Sequence, residues 1–249
     1  MKLYPNTGED DSASRARPVR DLTVRDLTQP LSTTMPRWPG TDPIRLTVLA
    51  EVAIDGLYER QVEMPEHVGT HVDAPAHFAA DGARIEALPL EHLVSPGRLL
   101  DASGVCGKEP DFALDAATLI ELEREQGIEL AGEIVALVRF GWDRYLTDGA
   151  RYLGGPESPP HFPGLAPSAA ELLVERGVRG IGVDTMGVEP GIAVDYPVHR
   201  TTLPAGLFHI EGLVNLWALP PDDFTLIVAP LPLVGGSGAP ARVLALIEE

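Results

Sequence analysis

The chain has 249 residues, 44% of them hydrophobic and 22% charged, with one cysteine and a formal charge of −18 from 19 Lys plus Arg against 37 Asp plus Glu. Such a composition is that of an ordinary globular protein long enough to bury a sizeable core, not of a disordered chain. The acidic excess argues against nucleic acid and anionic membranes as partners, because both need clustered cations; a lone Cys106 cannot form an intrachain disulfide.

In chain order, residues 1–18 are polar, with Glu9, Asp10, Asp11, Ser12 and Ser14, and read as a flexible N-terminal arm. They lack the apolar core of a signal peptide, and no apolar run reaches the length of a membrane span, so a cytoplasmic location is expected. Residues 19–249 contain neither a long linker nor an internal repeat and read as one domain. The segment LYERQVEM, Leu57–Met64, alternates side-chain character at a period of two and predicts a half-exposed strand. A loop rich in histidine, EHVGTHVDAPAHF (Glu66–Phe78), follows directly. Cys106, in SGVCGKE, reads as a small loop or core residue in preference to a nucleophile. The stretch DAATLIELEREQG predicts a helix with Asp115 as N-cap, Leu119, Ile120 and Leu122 on or near one face, and Gly127 as its stop. EIVALVRF, Glu133–Phe140, is a largely apolar run and predicts a buried strand. Tyr152–Leu165 is a long Pro/Gly loop of the kind used as a lid or interface arm. A second helix is expected from Pro167 to Gly177, a strand over Val178–Asp184, and two more in FTLIVAPL and PARVLALIE. Helices alternating with buried strands in the middle, with extra β structure at both ends, indicate an α/β domain built on a mixed β-sheet.

The chemistry concentrates in Glu66–Phe78, which holds three of the seven histidines and an aspartate. His67, His71, Asp73 and His77 form the array H-x3-H-x-D-x3-H. Imidazole and carboxylate together suit Zn2+ or Mn2+, and a turn after a strand can converge three such side chains on one ion. His77, four residues beyond Asp73, is placed to act as base or acid beside it. The bland alternative is a polar surface loop of neutral histidines, and the density of the array weighs against it. A cation needs more ligands than one loop supplies. His92 and His161 read as structural or exposed. His199, in VDYPVHRTTL, and His209 with Glu211, in GLFHIEGLVNL, are the better candidates; the last two share a face if their segment is a strand. GGSGA at Gly235–Ala239 misses the final glycine of a serine-hydrolase elbow, and there is no phosphate-binding or dinucleotide fingerprint.

HVGTHVDAPAHF resembles the H-x-G-T-H-x-D-x-P-x-H-F signature of the cyclase family of metal-dependent hydrolases, which includes bacterial kynurenine formamidases and isatin hydrolases. DLTQPLSTTMPRWPG, RFGWDRY, GIGVDTMGVEP, IEGLVNL and LPLVGGSGAPARVLAL are similar to further family segments, so the resemblance spans about residues 20–249. It implies a swivelling β/β/α fold, usually dimeric or tetrameric. It also implies that His67, His71 and Asp73 hold a first metal, that Asp73 can bridge to a second, and that His77 is the catalytic histidine. A later His with a Glu twelve residues beyond completes the second site, which selects His199 and Glu211 over His209. The implied cofactor is Zn2+ or Mn2+, as one or two ions. Trp38, Trp142 and Ser237 fall in segments that line family pockets and are candidates to contact substrate. The expected activity is hydrolysis of a C–N bond in a small cyclic or N-acyl, aromatic amide. Kynurenine formamidase activity is the nearest alternative; a lactone- or polyketide-type cyclase and a non-catalytic metal-binding protein are the others.

Overall fold

The computed structural model describes residues 22–155 and 159–248; the arm expected at residues 1–18 lies outside them. Its strands are β1 (Leu22–Asp26), β2 (Arg45–Ala50), β3 (Glu59–Glu63), β4 (His71–Asp73), β5 (Val94–Asp101), β6 (Ala113–Leu114), β7 (Val135–Arg139), β8 (Gly164–Leu165), β9 (Gly180–Val183), β10 (Phe208–Glu211), β11 (Phe224–Pro230) and β12 (Gly238–Glu248). Eight of them form one mixed sheet in the order β1-β12-β11-β5-β7-β9-β10-β4. The middle of that sheet, β5-β7-β9-β10, is parallel. Its flanks are antiparallel.

The sheet closes on itself through β12. Residues Ala241–Ile247 of β12 pair with β11, while its first three residues, Gly238–Pro240, pair with β4. Because β4 also pairs with β10, the two ends of the sheet meet and the result is barrel-like. Parallel strands covered on both faces read as continuous apolar runs, and β7 follows that rule. Val135 and Leu137 face a lumen cluster with Leu99, Phe208, Ile210 and Phe224. Ala136 and Val138 face the other way, beneath the helices, with Leu119, Leu122, Ala170 and Leu173. Small residues on β9 make the lumen fit: a Cβ at Gly182 would come within 2.9 Å of Leu213 Cδ1 and closer still to Leu137.

The two expected long helices are present. Ala116–Gln126 begins where Asp115 accepts a hydrogen bond from the Thr118 amide at 2.8 Å, and ends at left-handed Gly127. Pro167–Glu175 starts with proline in its first turn. Ile120, expected near the apolar face, is instead 46% exposed. Cys106 is buried in a short helix, and burial pushes its thiol up to about 11, which suits a core residue. The strand expected in Leu57–Met64 is realised as β3, but it is exposed on both faces. It pairs with β2 alone, as a hairpin outside the main sheet, so neither face meets the core. No helix among the described residues is long and apolar enough to cross a membrane.

Candidate metal centre

Strand alternation builds the site. On β4, Val72 points into the lumen cluster, so His71 and Asp73 share the opposite face. On β10, Phe208 and Ile210 fill the lumen, and His209 and Glu211 take the other face. The antiparallel register sets His209 opposite Asp73 and Glu211 opposite His71. Two short strands therefore carry a two-by-two array of imidazoles and carboxylates, all of it buried. The helix Pro197–Thr202 brings His199 against this face. His67 precedes β4, in a turn where Gly69 adopts φ +65°; a Cβ there would sit 2.6 Å from Leu31 Cδ2. His77 ends a short 3-10 helix whose first residue is Pro75.

Both carboxylates divide their oxygens between two groups of histidines. Asp73 Oδ1 lies 2.6 Å from His67 Nδ1 and 3.3 Å from His71 Nε2. Its Oδ2 lies 3.2 Å from His199 Nε2 and 3.8 Å from His209 Nδ1. Glu211 places Oε2 3.5 Å from His71 Nε2 and Oε1 3.3 Å from His199 Nε2.

The far nitrogens of three histidines are tied to the scaffold. His71 Nδ1–H donates to the Gly69 carbonyl at 3.0 Å. His199 Nδ1–H donates to Glu189 Oε1 at 2.7 Å. His67 Nε2 is 2.9 Å from Ser237 Oγ. That hydroxyl gives its own proton to Glu66 at 2.9 Å, so His67 Nε2–H must donate to it. His71 and His199, once neutral, consequently turn a lone pair toward Asp73 and Glu211, while His67 Nδ1 lies at hydrogen-bond distance from Asp73 Oδ1. Lone pairs facing carboxylates in a buried cluster call for a cation. The separations agree: tetrahedral metal–ligand bonds of about 2.1 Å give donor–donor edges of about 3.4 Å, close to the 3.2, 3.3 and 3.5 Å contacts around His71 and His199. The residues present fit a divalent metal.

Proton balance points the same way. Burial opposes a charge on His71, but its hydrogen bond and charge interaction with Asp73, and the charge of Glu211, raise it to about 9. His199, also opposed by burial, is held well above the ordinary histidine value by hydrogen bonds with Asp73, Glu189 and Glu211. Burial would raise Asp73, yet four histidines hold it well below the usual carboxylate range. His77 moves the other way: burial, with the charges of His67, His199 and His71, outweighs Asp73 and lowers it to about 4. It is neutral at pH 7. Its ring stacks on His67 with centroids 4.0 Å apart.

These groups open onto a cavity of about 420 Å3, whose walls include Trp38, Phe78, Phe162, Met186 and Tyr196. The volume is in the range of small-molecule sites. Trp38 lies at the cavity wall, edge-on to Phe162 at 6.2 Å. Trp142 does not line the cavity: its indole N–H donates to the Tyr152 carbonyl at 2.8 Å and its ring is buried in the helix-side core. Ser237 sits behind His67, engaged with it and Glu66, and is not part of the cavity lining. His161 pairs with Asp111 at 2.8 Å and is not among the residues lining the cavity. Glu189 touches the site and was not singled out in the sequence. It is buried, holds His199 Nδ1, and accepts hydrogen bonds from the amides of Val198 and His199 at 3.1 and 3.2 Å. Asp184 was missed too; it accepts from the Phe140 and Trp142 amides, tying the end of β9 to the end of β7.

The Cyclase family model matches residues 25–190. The isatin hydrolase of Roseibium aggregatum is 36% identical over 221 residues, covering 84% of this chain and 83% of that protein. The chain belongs to the cyclase family. The kynurenine formamidase of Geobacillus thermodenitrificans is 32% identical to this cyclase-family chain over 219 residues, covering 87% of this chain and 94% of that protein. A solved isatin hydrolase bound to the product analogue thioisatinate superposes with a TM-score of 0.86 at 30% identity, covering 92% of this chain and 94% of that one. This member of the family is a metal-dependent hydrolase with an α/β fold.

Proposed function

We propose that this cyclase-family enzyme hydrolyses the C–N bond of a small cyclic or N-acyl aromatic amide. The observation that carries the reading is the ring of histidine nitrogens around the buried Asp73 carboxylate, opening onto an aromatic-walled cavity with neutral His77 at its edge. His67, His71, Asp73, His199 and Glu211 would hold the metal, Zn2+ or Mn2+, as one or two ions. A divalent cation held there supplies Lewis acidity, which acidifies water and polarises a carbonyl.

The chain's own residues do the rest. Neutral His77 accepts a proton from the attacking water as the new C–O bond forms. It returns that proton to the leaving nitrogen as the C–N bond breaks, giving a carboxylate and an amine. Trp38, Phe78 and Tyr196 offer ring faces and edges to an aryl group and keep bulk water from the scissile bond. Isatin and related cyclic amides fit this chemistry. N-formylkynurenine is the second candidate, favoured by the formamidase relative.

Assays with metal-loaded protein on isatin, N-formylkynurenine, hydantoins and simple lactones test the reading. Metal-dependent opening or deformylation of an amide is expected, lost on chelation. A metal-replete protein that turns over none of these amides would overturn it.

A further inference from the structure

His209 is completely buried, and its two ring nitrogens have unequal surroundings. Nε2 lies 2.6 Å from Thr202 Oγ1. The Thr202 hydroxyl has one proton, and it donates that proton to the Val198 carbonyl at 2.8 Å inside the helix Pro197–Thr202. Thr202 must therefore accept from His209 Nε2–H, which leaves the lone pair on Nδ1. Among the described residues, His209 Nδ1 is a buried polar atom without a hydrogen-bond partner. It points at Asp73 Oδ2, another lone-pair atom, 3.8 Å away. Two acceptors facing each other in a buried site are unfavourable unless a cation lies between them.

The surroundings say which cation position this is. Asp73 Oδ2, Glu211 Oε1 and His199 Nε2 form the inner group, with His199 Nε2 3.2 and 3.3 Å from the two carboxylate oxygens. His209 stands on the same strand face as Glu211 and across the register from Asp73. Donor atoms of Asp73, His199, His209 and Glu211 all lie within 4.8 Å of one another. The outer group, Asp73 Oδ1 and Glu211 Oε2 with His67 and His71, has two imidazoles and one oxygen from each carboxylate. With His209 the inner group has the same composition.

We infer that His209 is a metal ligand, the fourth donor of an inner cation position completed by His199, Asp73 and Glu211, and that Thr202 fixes the tautomer that lets it bind. The inference rests on the metal-dependent reading proposed above. Four protein donors enclose a cation more completely than three, and His209 is what brings the inner position to four.

The test is Zn2+ stoichiometry and affinity, measured by elemental analysis after chelation and reloading and by chelator competition. Wild type should hold two ions. His209→Ala should hold one, with the inner ion weakened ~100-fold or more and the other within a few-fold of wild type; imidazole added to the solvent should restore the lost ion by entering the vacated space. Thr202→Val keeps the ring but removes its acceptor, and should weaken the same ion by ~10-fold, the effect of removing a partner behind a ligand. If His209→Ala disturbs folding, His209→Gln and Thr202→Val decide. Two ions of unchanged affinity in the His209 variants, or a single wild-type ion indifferent to them, would overturn the assignment while leaving the metal reading intact. A wild-type protein that binds no Zn2+ would overturn both.

Discussion

Loading the metal-free protein should expel protons, and the number is calculable. His71, raised to about 9, is protonated at pH 7 in the absence of metal. His199 is held well above the ordinary histidine value and is protonated too. Each must lose its proton before Nε2 can bind a cation, so metal uptake at pH 7 should release about two protons. The gap between about 9 and pH 7 makes proton competition at His71 alone cost a factor of about 100 in apparent affinity, or about 3 kcal/mol. Apparent affinity should therefore rise about tenfold per pH unit for each of the two histidines while pH stays below their values. Isothermal titration in buffers of different ionisation enthalpy counts the protons. The sign for stability follows from the same displacement. The folded value of His71 lies above its ordinary 6.5, so its contribution to the metal-free protein is full below about 6.5 and is lost as pH rises through about 9. Melting of chelated protein should fall across that window, and melting of loaded protein should not follow it. Metal uptake with no proton release, and an affinity flat between pH 6 and 8, would refute the reasoning.

Three further outcomes follow from the same geometry. Asp73→Ala removes the carboxylate that faces His67, His71, His199 and His209, and elemental analysis should find the metal gone; full retention would exclude Asp73 as a ligand. Glu189→Gln removes the carboxylate charge that holds His199 Nδ1 and should weaken metal binding ~10- to 100-fold in chelator competition, whereas an unchanged affinity would reduce Glu189 to a helix cap. Trp38→Ala, at the cavity wall, should raise KM for aryl amides with a smaller change in kcat, and Trp142→Phe should leave KM unmoved because its ring lies in the core.

How much of this was legible from the residues depends on how local each feature is. His67, His71, Asp73 and His77 lie within eleven positions, and Gly69 and Pro75 set turns that residue type alone announces. The helices at Asp115 and Pro167 carry their own start signals and stand where expected. His199, His209 and Glu211 stood out as candidates, but only family resemblance chose His199 and Glu211 among them, because their meeting depends on a helix packing against β10. Glu189 escaped, and His209 was named as a candidate and then set aside, for the same reason: ten residues separate Glu189 from His199, and only the β4–β10 register shows what His209 faces. Trp142 was misplaced because an aromatic at a strand end gives no sign of which side it takes; the Tyr152 carbonyl decides it. Barrel closure was invisible as well, since it requires one strand, β12, to divide its pairing between β4 and β11.

The central claim is that ligands and proton carrier are different residues of one site, and His77→Ala tests it most directly. Metal content and turnover should be measured on the same preparation. The account predicts a metal content equal to wild type with amide hydrolysis reduced ~100- to 10,000-fold, the loss expected for removing a general base. Metal lost together with activity would make His77 a ligand, and undiminished turnover would remove it from the mechanism.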